Sequence, residues 1–207
     1  MKKETYLEKL DTQFEHPYII LKRIFDIFFS IIVLIPSVII VFLFAIIIVI
    51  DSKGGPFYSQ NRVGLMGKEF KVFKLRSMRN DAEVNGAQWA ETEDPRITRV
   101  GKFIRKTRID ELPQLFSVLV GDMSLIGPRP ERPNFTQQFS EEIEGFEQRL
   151  LIKPGLSGYA QVNGGYDITP AEKLKLDLYY MEHFSFKLDF NIFIKTIAVV
   201  ITGDGAR

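Results

Sequence analysis

Residues 27–50 read IFFSIIVLIPSVIIVFLFAIIIVI and form a long apolar block. These 24 residues contain no charge, and only Ser30, Pro36 and Ser37 interrupt the apolar side chains. A helix of this length extends about 36 Å, which exceeds the roughly 30 Å hydrocarbon core of a bilayer. The block therefore predicts a helix that enters a membrane.

The rest of the chain has the composition of a water-facing globular domain. Of the 207 residues, 45% are hydrophobic and 26% are charged, and the formal net charge is +1. A net charge near zero disfavours a nucleic-acid partner held by bulk charge. The absence of cysteine excludes disulfides, zinc–thiolate sites and a thiol nucleophile. We predict an N-terminal cytosolic segment at 1–26, the membrane block at 27–50 and a cytosolic catalytic domain at 51–207.

Two membrane geometries are open for this block. Basic residues stand on both flanks, with Lys22 and Arg23 before the block and Lys53 and Arg62 after it. Because Lys and Arg near membrane segments favour the cytosol, both flanks are expected on the cytosolic side. Pro36 predicts a kink, since proline removes a helical hydrogen bond. These features fit a re-entrant helix that enters and leaves by the same face, and a tilted single span is the alternative.

The soluble part is predicted to belong to the α+β class and to be mostly helical. Segments 56–63 and 69–75 are short strand-like runs joined by glycines at 64–67, which predicts a small β-hairpin. Apolar residues recur at helical spacing between residues 100 and 119. That spacing predicts two helices that meet near Asp110.

Two further helices are predicted towards the C-terminus. Thr169, Pro170 and Glu172 form the pattern of an N-cap, a first helical proline and a capping box. Asp189 is interpreted as the N-cap of the apolar run 190–201. This run is too short to span a bilayer, so it is expected in the core or as an interfacial amphipathic helix.

The residues best suited to chemistry are an acidic pair in segment 105–114, RKTRIDELPQ. Asp110 and Glu111 follow a basic cluster at the predicted start of a helix. Both the helix N-terminus and nearby arginines favour ionised carboxylates, which can attack an electrophile or bind a metal. The alternative is that the pair forms only a helix cap and surface ion pairs.

Two other segments offer binding groups. Segment 121–130, GDMSLIGPRP, places Arg129 between two prolines. A rigid backbone there suits a bidentate clamp on phosphate or carboxylate, and a stiff turn with a solvated arginine is the alternative. Segment 153–165, KPGLSGYAQVNGG, sets amide side chains between glycines. These amides either contact a nucleobase or belong to turns.

Taken together, these segments resemble the bacterial sugar transferase family, the monotopic polyprenyl-phosphate phosphoglycosyl transferases. The resemblance implies a minimal member without the large N-terminal membrane region of longer relatives, and it favours the re-entrant helix. The matching segments are KRIFD at 22–26, QNR at 60–62, FKLRSM at 73–78, DELPQL at 110–115, GPRP at 127–130, KPG at 153–155 and DLYY at 177–180.

The resemblance implies transfer of a sugar-1-phosphate from a UDP-sugar to undecaprenyl phosphate, with release of UMP, at the cytoplasmic face of the cell membrane. This reaction would start exopolysaccharide, capsule or glycan synthesis. Asp110 matches the family nucleophile that forms a covalent phosphosugar intermediate beside Mg²⁺, and Glu111 matches the residue that supports the second half-reaction. We expect phosphate contacts from Lys74, Arg76, Arg105 and Arg129, and nucleotide-side contacts from Gln161 and Asn163.

Two other classes of function share the acidic pair. One is a non-catalytic membrane scaffold for polysaccharide-assembly enzymes, and the other is a membrane-bound, metal-dependent phosphohydrolase. The expected partners are a UDP-sugar, undecaprenyl phosphate and the lipid bilayer, and homo-oligomer formation is left open. The residues do not determine the sugar, although we favour UDP-glucose or UDP-galactose as the donor.

Overall fold

A computed structural model describes residues 17–84, 94–164 and 168–202. The predicted N-terminal segment therefore lies outside the described residues up to residue 16. The fold is α+β and mostly helical, as predicted. It combines one long apolar helix, an antiparallel hairpin, a short parallel strand pair and a set of shorter helices.

The first helix, α1 (Tyr18–Asp51), contains the whole apolar block and continues without interruption through Pro36. The hydroxyl of Ser37 donates a hydrogen bond of 2.6 Å to the carbonyl of Val33. Only 17% of the most apolar 18-residue window of α1 is buried within the protein. By length and composition α1 can cross a membrane, and its exposed apolar side chains call for apolar surroundings.

The N-terminal third of α1 is anchored in the globular body by polar side chains. Lys22 Nζ lies 2.6 Å from Asp189 Oδ2, and both side chains are buried. Asp26 Oδ1 accepts a hydrogen bond of 3.0 Å from the amide of Leu125. Buried charges persist in proteins when they are paired in this way.

The C-terminal end of α1 packs on the same body. Ile48 is 1% exposed and lies in one hydrophobic cluster with Leu75 and Ile104. Close by, Asp51 Oδ2 accepts a hydrogen bond of 3.3 Å from the amide of Val100. Both ends of a 34-residue helix therefore contact the same globular part.

The predicted hairpin is confirmed. It comprises the antiparallel strands β1 (Phe57–Val63) and β2 (Glu69–Leu75), with Tyr58 opposite Lys74, and a short 3-10 helix (Leu65–Gly67) lies between the strands. Because side chains alternate along a strand, residues 70, 72 and 74 share one face. Phe70 and Val72 on that face pack in the core, so Lys74 also points inward from the hairpin.

Between the hairpin and the C-terminal helices, several short elements surround the acidic pair. The parallel strand pair lies where Gly127 and Gly155 touch, since a Cβ on Gly155 would lie 2.1 Å from the Gly127 amide nitrogen. Only glycine at position 155 allows the two backbones to come this close. The contact fixes the position of Gly127, where the GPRP segment at 127–130 begins. The elements are α2 (Arg99–Lys106), a 3-10 helix (Ile109–Gln114), α3 (Leu115–Val120), β3 (Ser124–Ile126), α4 (Pro133–Glu142), a 3-10 helix (Phe146–Leu151) and β4 (Gly155–Ser157).

Three helices complete the described chain: α5 (Tyr159–Asn163), α6 (Pro170–Glu182) and α7 (Phe186–Thr202). The predicted capping box at the start of α6 is confirmed. The prediction that Asp189 caps a helix was wrong, because α7 begins three residues earlier. Asp189 is buried instead and accepts hydrogen bonds from the hydroxyls of Tyr18 at 2.6 Å and Tyr180 at 2.7 Å. Its charge serves to hold α1 against α6 and α7.

Candidate active site

The acidic pair lies on the 3-10 helix Ile109–Gln114, which packs against β2 and α1. Asp110 and Glu111 are each only 7% exposed, which is low for carboxylates. Arg108, the residue directly before this 3-10 helix, has a φ of +57°, a left-handed conformation that residues with long side chains seldom adopt. Backbone strain of this kind clusters at functional sites. The pair is therefore buried and lies next to a strained residue, so it is not a surface cap.

Glu111 is surrounded by cations from three segments. Lys74 Nζ lies 2.8 Å from Glu111 Oε1, Arg129 donates to the same oxygen, and Arg108 lies 3.7 Å from Oε2. Burial disfavours the charged form of Glu111, but Arg129 and Lys74 outweigh this penalty and hold its pKa well below the ordinary value. The surrounding cations therefore favour the ionised form of Glu111, and this carboxylate gathers them at one point.

Asp110 has different surroundings although it is the adjacent residue. Burial raises its pKa to about 6, aided by the neighbouring charge of Glu111 and opposed by Lys74. Among the described residues, no hydrogen bond to its carboxylate is made. Among the described residues, the carboxylate oxygens of Asp110 thus have lone pairs free for nucleophilic attack or metal binding, whereas Oε1 of Glu111 accepts from both Lys74 and Arg129.

Asp110 and Glu111 line a cavity of about 470 Å³. Ten of its described lining side chains are Arg or Lys, and four are Asp or Glu. An excess of guanidinium and ammonium groups in a concave site suits a pyrophosphate, whose oxygens accept charge-assisted hydrogen bonds. The cavity is also large enough for a nucleotide-sized ligand.

Three of the four predicted phosphate ligands lie beside the acidic pair. Lys74 and Arg129 both line the cavity and contact Glu111. Arg105 lines the cavity as well, and its Nε donates a hydrogen bond of 2.8 Å to Ser77 Oγ. This contact orients the Arg105 guanidinium from one edge and leaves its terminal nitrogens available for a ligand.

The structure gives the fourth, Arg76, a different task. Its guanidinium donates to the carbonyl oxygens of residues 52, 53, 54 and 55, at 2.7–3.2 Å, although one edge of the residue reaches the cavity wall. These bonds satisfy carbonyls that follow the end of α1 and would otherwise be unpaired. The guanidinium of Arg76 thus holds the segment after α1, and its phosphate contact stays a prediction.

The two predicted nucleotide-side residues separate in the structure. Gln161 lines the cavity, and its Nε2 donates to the carbonyl of Leu156 at 3.2 Å. Asn163 is not among the described residues that line the cavity. Its Nδ2 donates a hydrogen bond to the carbonyl of Tyr159, and its Oδ1 accepts one from Lys195 Nζ. The two side chains project from different sides of the short helix α5, so only Gln161 lies at the cavity, and the nucleotide-side contacts of both residues stay predictions.

The sequence predicted no site role for eight charged residues of the described cavity wall, and three of them are linked by ion pairs in that wall. Arg62, Glu131 and Lys173 line it, and Lys173 forms an ion pair with Glu131 across 42 positions of the chain. A lysine on an amphipathic helix usually lies in solvent, so residue type alone held no signal for Lys173. For Arg62 the signal was its place in the QNR segment at 60–62.

The residues around Asp110 fit a magnesium ion. Among the described residues, no group of three or more His, Asp or Glu side chains forms a complete metal cage. Magnesium is commonly held by one or two carboxylates together with substrate phosphates and water. The unengaged, buried carboxylate of Asp110 is a donor of this kind.

Comparison with known proteins adds the family. The model of the bacterial sugar transferase family matches residues 17–203. The chain belongs to this family. With α1, this membership indicates a membrane protein, as the apolar block predicted.

Three relatives illustrate the range of the family. The chain is 49% identical, over 79% of its length, to a UDP-N-acetylgalactosamine-undecaprenyl-phosphate N-acetylgalactosaminephosphotransferase of Aeromonas hydrophila. It is 57% identical, over 64% of its length, to a Bacillus subtilis protein provisionally named undecaprenyl-phosphate N-acetylgalactosaminyl 1-phosphate transferase, and the match covers 74% of that protein. It is 40% identical, over 90% of its length, to the undecaprenyl-phosphate galactose phosphotransferase of Salmonella typhimurium. The chain spans only 39% of the Aeromonas relative and 41% of the Salmonella relative.

Proposed function

We propose that this chain transfers a sugar-1-phosphate from a UDP-sugar to undecaprenyl phosphate and releases UMP. This is a phosphoglycosyl transferase reaction at the cytoplasmic face of the membrane, and it starts exopolysaccharide, capsule or glycan synthesis. The main support is the contrast within the acidic pair, where Asp110 has no hydrogen-bond partner among the described residues and Glu111 is held by Lys74 and Arg129. The names of the three relatives agree with this activity.

In the first half-reaction, an oxygen of ionised Asp110 attacks the sugar-linked phosphorus of the donor. A bond forms between that oxygen and phosphorus, the bond from phosphorus to the bridging oxygen breaks, and UMP leaves with the electron pair. Lys74, Arg105 and Arg129 neutralise the phosphoryl oxygens, which is the main task of a protein in phosphoryl transfer. The product on the protein is an aspartyl phosphosugar.

In the second half-reaction, a phosphate oxygen of undecaprenyl phosphate attacks the same phosphorus. A new diphosphate bond forms as the bond to Asp110 breaks, so the aspartate is regenerated. Glu111 supports this step because it keeps Lys74 and Arg129 gathered where the acceptor phosphate must lie. Mg²⁺ bound at Asp110 would supply further neutralisation of the phosphates.

The re-entrant geometry of α1 remains a proposal, and its supports are the anchors at both ends. Lys22 near the start and Ile48 near the end contact the same globular body. If α1 crossed the bilayer, these ends would lie on opposite faces, about 30 Å apart or more. A helix that enters and leaves by the cytoplasmic face keeps both contacts and brings the cavity to the interface where the lipid phosphate lies.

The identity of the donor sugar follows the relatives. The two with 49% and 57% identity are both named for N-acetylgalactosamine, whereas the galactose phosphotransferase is at 40%. We therefore favour UDP-N-acetylgalactosamine over the UDP-glucose or UDP-galactose suggested by the sequence. A UMP-release screen over these three donors tests this choice.

The transferase is tested with Mg²⁺, a UDP-sugar labelled in the sugar and purified protein without acceptor. We expect covalent label and about one equivalent of UMP in the wild type, and neither in Asp110→Asn. Label retained by Asp110→Asn would reject the role of Asp110. Continuous release of free sugar phosphate without lipid acceptor would indicate a phosphohydrolase, and no turnover together with full support of glycan production in cells would indicate a scaffold.

A further inference from the structure

The turn that presents Arg129 is held through its backbone carbonyls. The carbonyl of Arg129 accepts a hydrogen bond of 2.9 Å from a terminal nitrogen of Arg149, and the carbonyl of Pro130 accepts one of 3.0 Å from Arg62. The next carbonyl accepts 2.9 Å from a backbone amide at the end of β1. Three successive carbonyls are thus tied to two other elements, so the backbone from which the Arg129 side chain projects cannot shift freely.

Arg149 is the least exposed of these donors and has no part in the cavity wall. It is 3% exposed and absent from the described residues that line the 470 Å³ cavity. The same terminal nitrogen that holds the Arg129 carbonyl lies 2.6 Å from Asp177 Oδ2 on α6, and Asp177 is 1% exposed. The guanidinium also stacks over Phe146 at 5.0 Å. Its orientation is therefore determined by buried partners rather than by a ligand.

The buried orientation of the Arg149 guanidinium has a cost in folding free energy. The Nε of Arg149 is buried and has no hydrogen-bond partner in the part of the chain that the structure describes. An unsatisfied buried donor is unfavourable, and such groups in native structures call for an explanation. In this orientation one nitrogen donates to the Arg129 carbonyl and forms an ion pair with the Asp177 carboxylate, although Asp177 Oδ2 accepts no hydrogen bond among the described residues.

We propose that Arg149, oriented by Asp177, is a positioning residue that directs the Arg129 guanidinium towards Glu111 and the substrate phosphate. The inference rests on the proposed function, because it assumes that Arg129 binds the transferred phosphoryl group. A misplacement of about 1 Å in such a group lowers catalytic rates by roughly 100-fold. A residue outside the cavity thereby controls the chemistry within it.

The test is a double-mutant cycle between Arg149→Met and Arg129→Ala. The full chain is used in detergent micelles, with two readouts per folded molecule: affinity for inorganic pyrophosphate with Mg²⁺, by calorimetry, and single-turnover UMP release at saturating donor. In protein that retains Arg129, we expect Arg149→Met to slow UMP release by roughly 10- to 100-fold and to weaken pyrophosphate binding. In the Arg129→Ala background we expect a further change of less than about twofold, because the group being positioned is gone.

Two further variants separate positioning from folding. Leu174→Ala removes a buried side chain of α6 that packs against Phe146. It should loosen the packing of α6 but removes no contact to the turn that carries Arg129. Its effect on both readouts should be the same in both backgrounds. Arg149→Lys retains a cation that can donate to both oxygens and should restore part of the rate lost in Arg149→Met.

Loss of similar size from Arg149→Met in both backgrounds, or no loss in folded protein, would overturn the proposal. Failure of the wild type to bind pyrophosphate would overturn it too. A wild type that binds pyrophosphate but releases no UMP from any UDP-sugar would reject the transferase activity, and the cycle on pyrophosphate affinity would still decide the role of Arg149.

Discussion

Glu131 should make folding stability fall steeply in acid. The residue is 8% exposed and forms ion pairs with Lys173, with Arg149 at 3.7 Å and with Arg62 at 3.8 Å. Burial disfavours its charged form, but Lys173 and Arg149 outweigh this penalty and lower the pKa to about 2. The ionised carboxylate is thus much better accommodated in the folded protein than in the unfolded chain.

The sign and size of the effect follow from linkage. A carboxyl with a lowered folded pKa stabilises the protein above its unfolded pKa of 4.5 and loses that contribution as the pH falls towards about 2. From these two values Glu131 contributes about 3 kcal/mol at pH 7 and about 1.5 kcal/mol at pH 3. Glu131→Gln removes the titrating group and retains the shape of the side chain. Its stability deficit relative to the wild type should therefore be smaller at pH 3 than at pH 7 by about 1.5 kcal/mol.

Thermal unfolding in detergent micelles between pH 7 and pH 3 measures this deficit. We expect the unfolding temperature of Glu131→Gln to lie at least about 6–12 °C below the wild type at pH 7, and this gap to narrow by about 3–6 °C at pH 3. Stranded cations add a deficit that does not change with pH, so the pH dependence is the decisive quantity. Glu142→Gln, at an exposed glutamate of α4, is the matched control and should follow the wild type. A deficit for Glu131→Gln that stays constant with pH would refute the reasoning.

Three other changes probe the site and the anchors. Lys74→Met removes the ammonium 2.8 Å from Glu111 and should slow single-turnover UMP release by roughly 10- to 100-fold, whereas Lys71→Met, on the outer face of the same strand, should not. Lys22→Met leaves the buried Asp189 without its cation and should cost about 3–5 kcal/mol in thermal unfolding. Thr169→Ala removes the N-cap of α6 and should cost about 1 kcal/mol, with UMP release per folded molecule unchanged.

Each of these has a contrary result. Equal slowing by the Lys71 and Lys74 substitutions would show that bulk charge, rather than position, matters. An unchanged unfolding temperature for the Lys22 variant would show that its pairing with Asp189 does not hold α1. Slower UMP release in the Thr169 variant, at equal folded fraction, would mean that the start of α6 contributes to the site.

Local features of the fold were predictable because their causes lie close together in the chain. The hairpin follows from two short strand-like runs on either side of the glycines at 64–67. The short connection places Val63 opposite Glu69, and this sets the register. The start of α6 follows from a cap and a glutamate three residues apart. Asp189 was misassigned because a polar residue before an apolar run looks like a cap, whereas its partners Tyr18 and Lys22 lie more than 160 positions away.

The candidate site was predictable in part for the same reason. Asp110 and Glu111 stand out as adjacent acids after a basic cluster, and the rigid backbone around Arg129 indicated an anion clamp. Residue type could not distinguish Arg76, whose donors are taken by nearby carbonyls, from Lys74 two positions earlier. The difference depends on where each side chain projects once the hairpin has packed.

The sequence by itself predicted that a long uncharged segment, residues 27–50, forms a membrane helix and that two adjacent carboxylates follow a basic segment. The length, apolar character and charge of a segment can be read directly from the chain, and they do not depend on contacts with distant residues. Only the tertiary structure decided that both ends of α1 contact one body and that, in the described part of the chain, Glu111 forms ion pairs whereas Asp110 forms none. These outcomes depend on contacts between residues far apart in the chain, and burial then turns small differences in position into different pKa values for neighbouring acids.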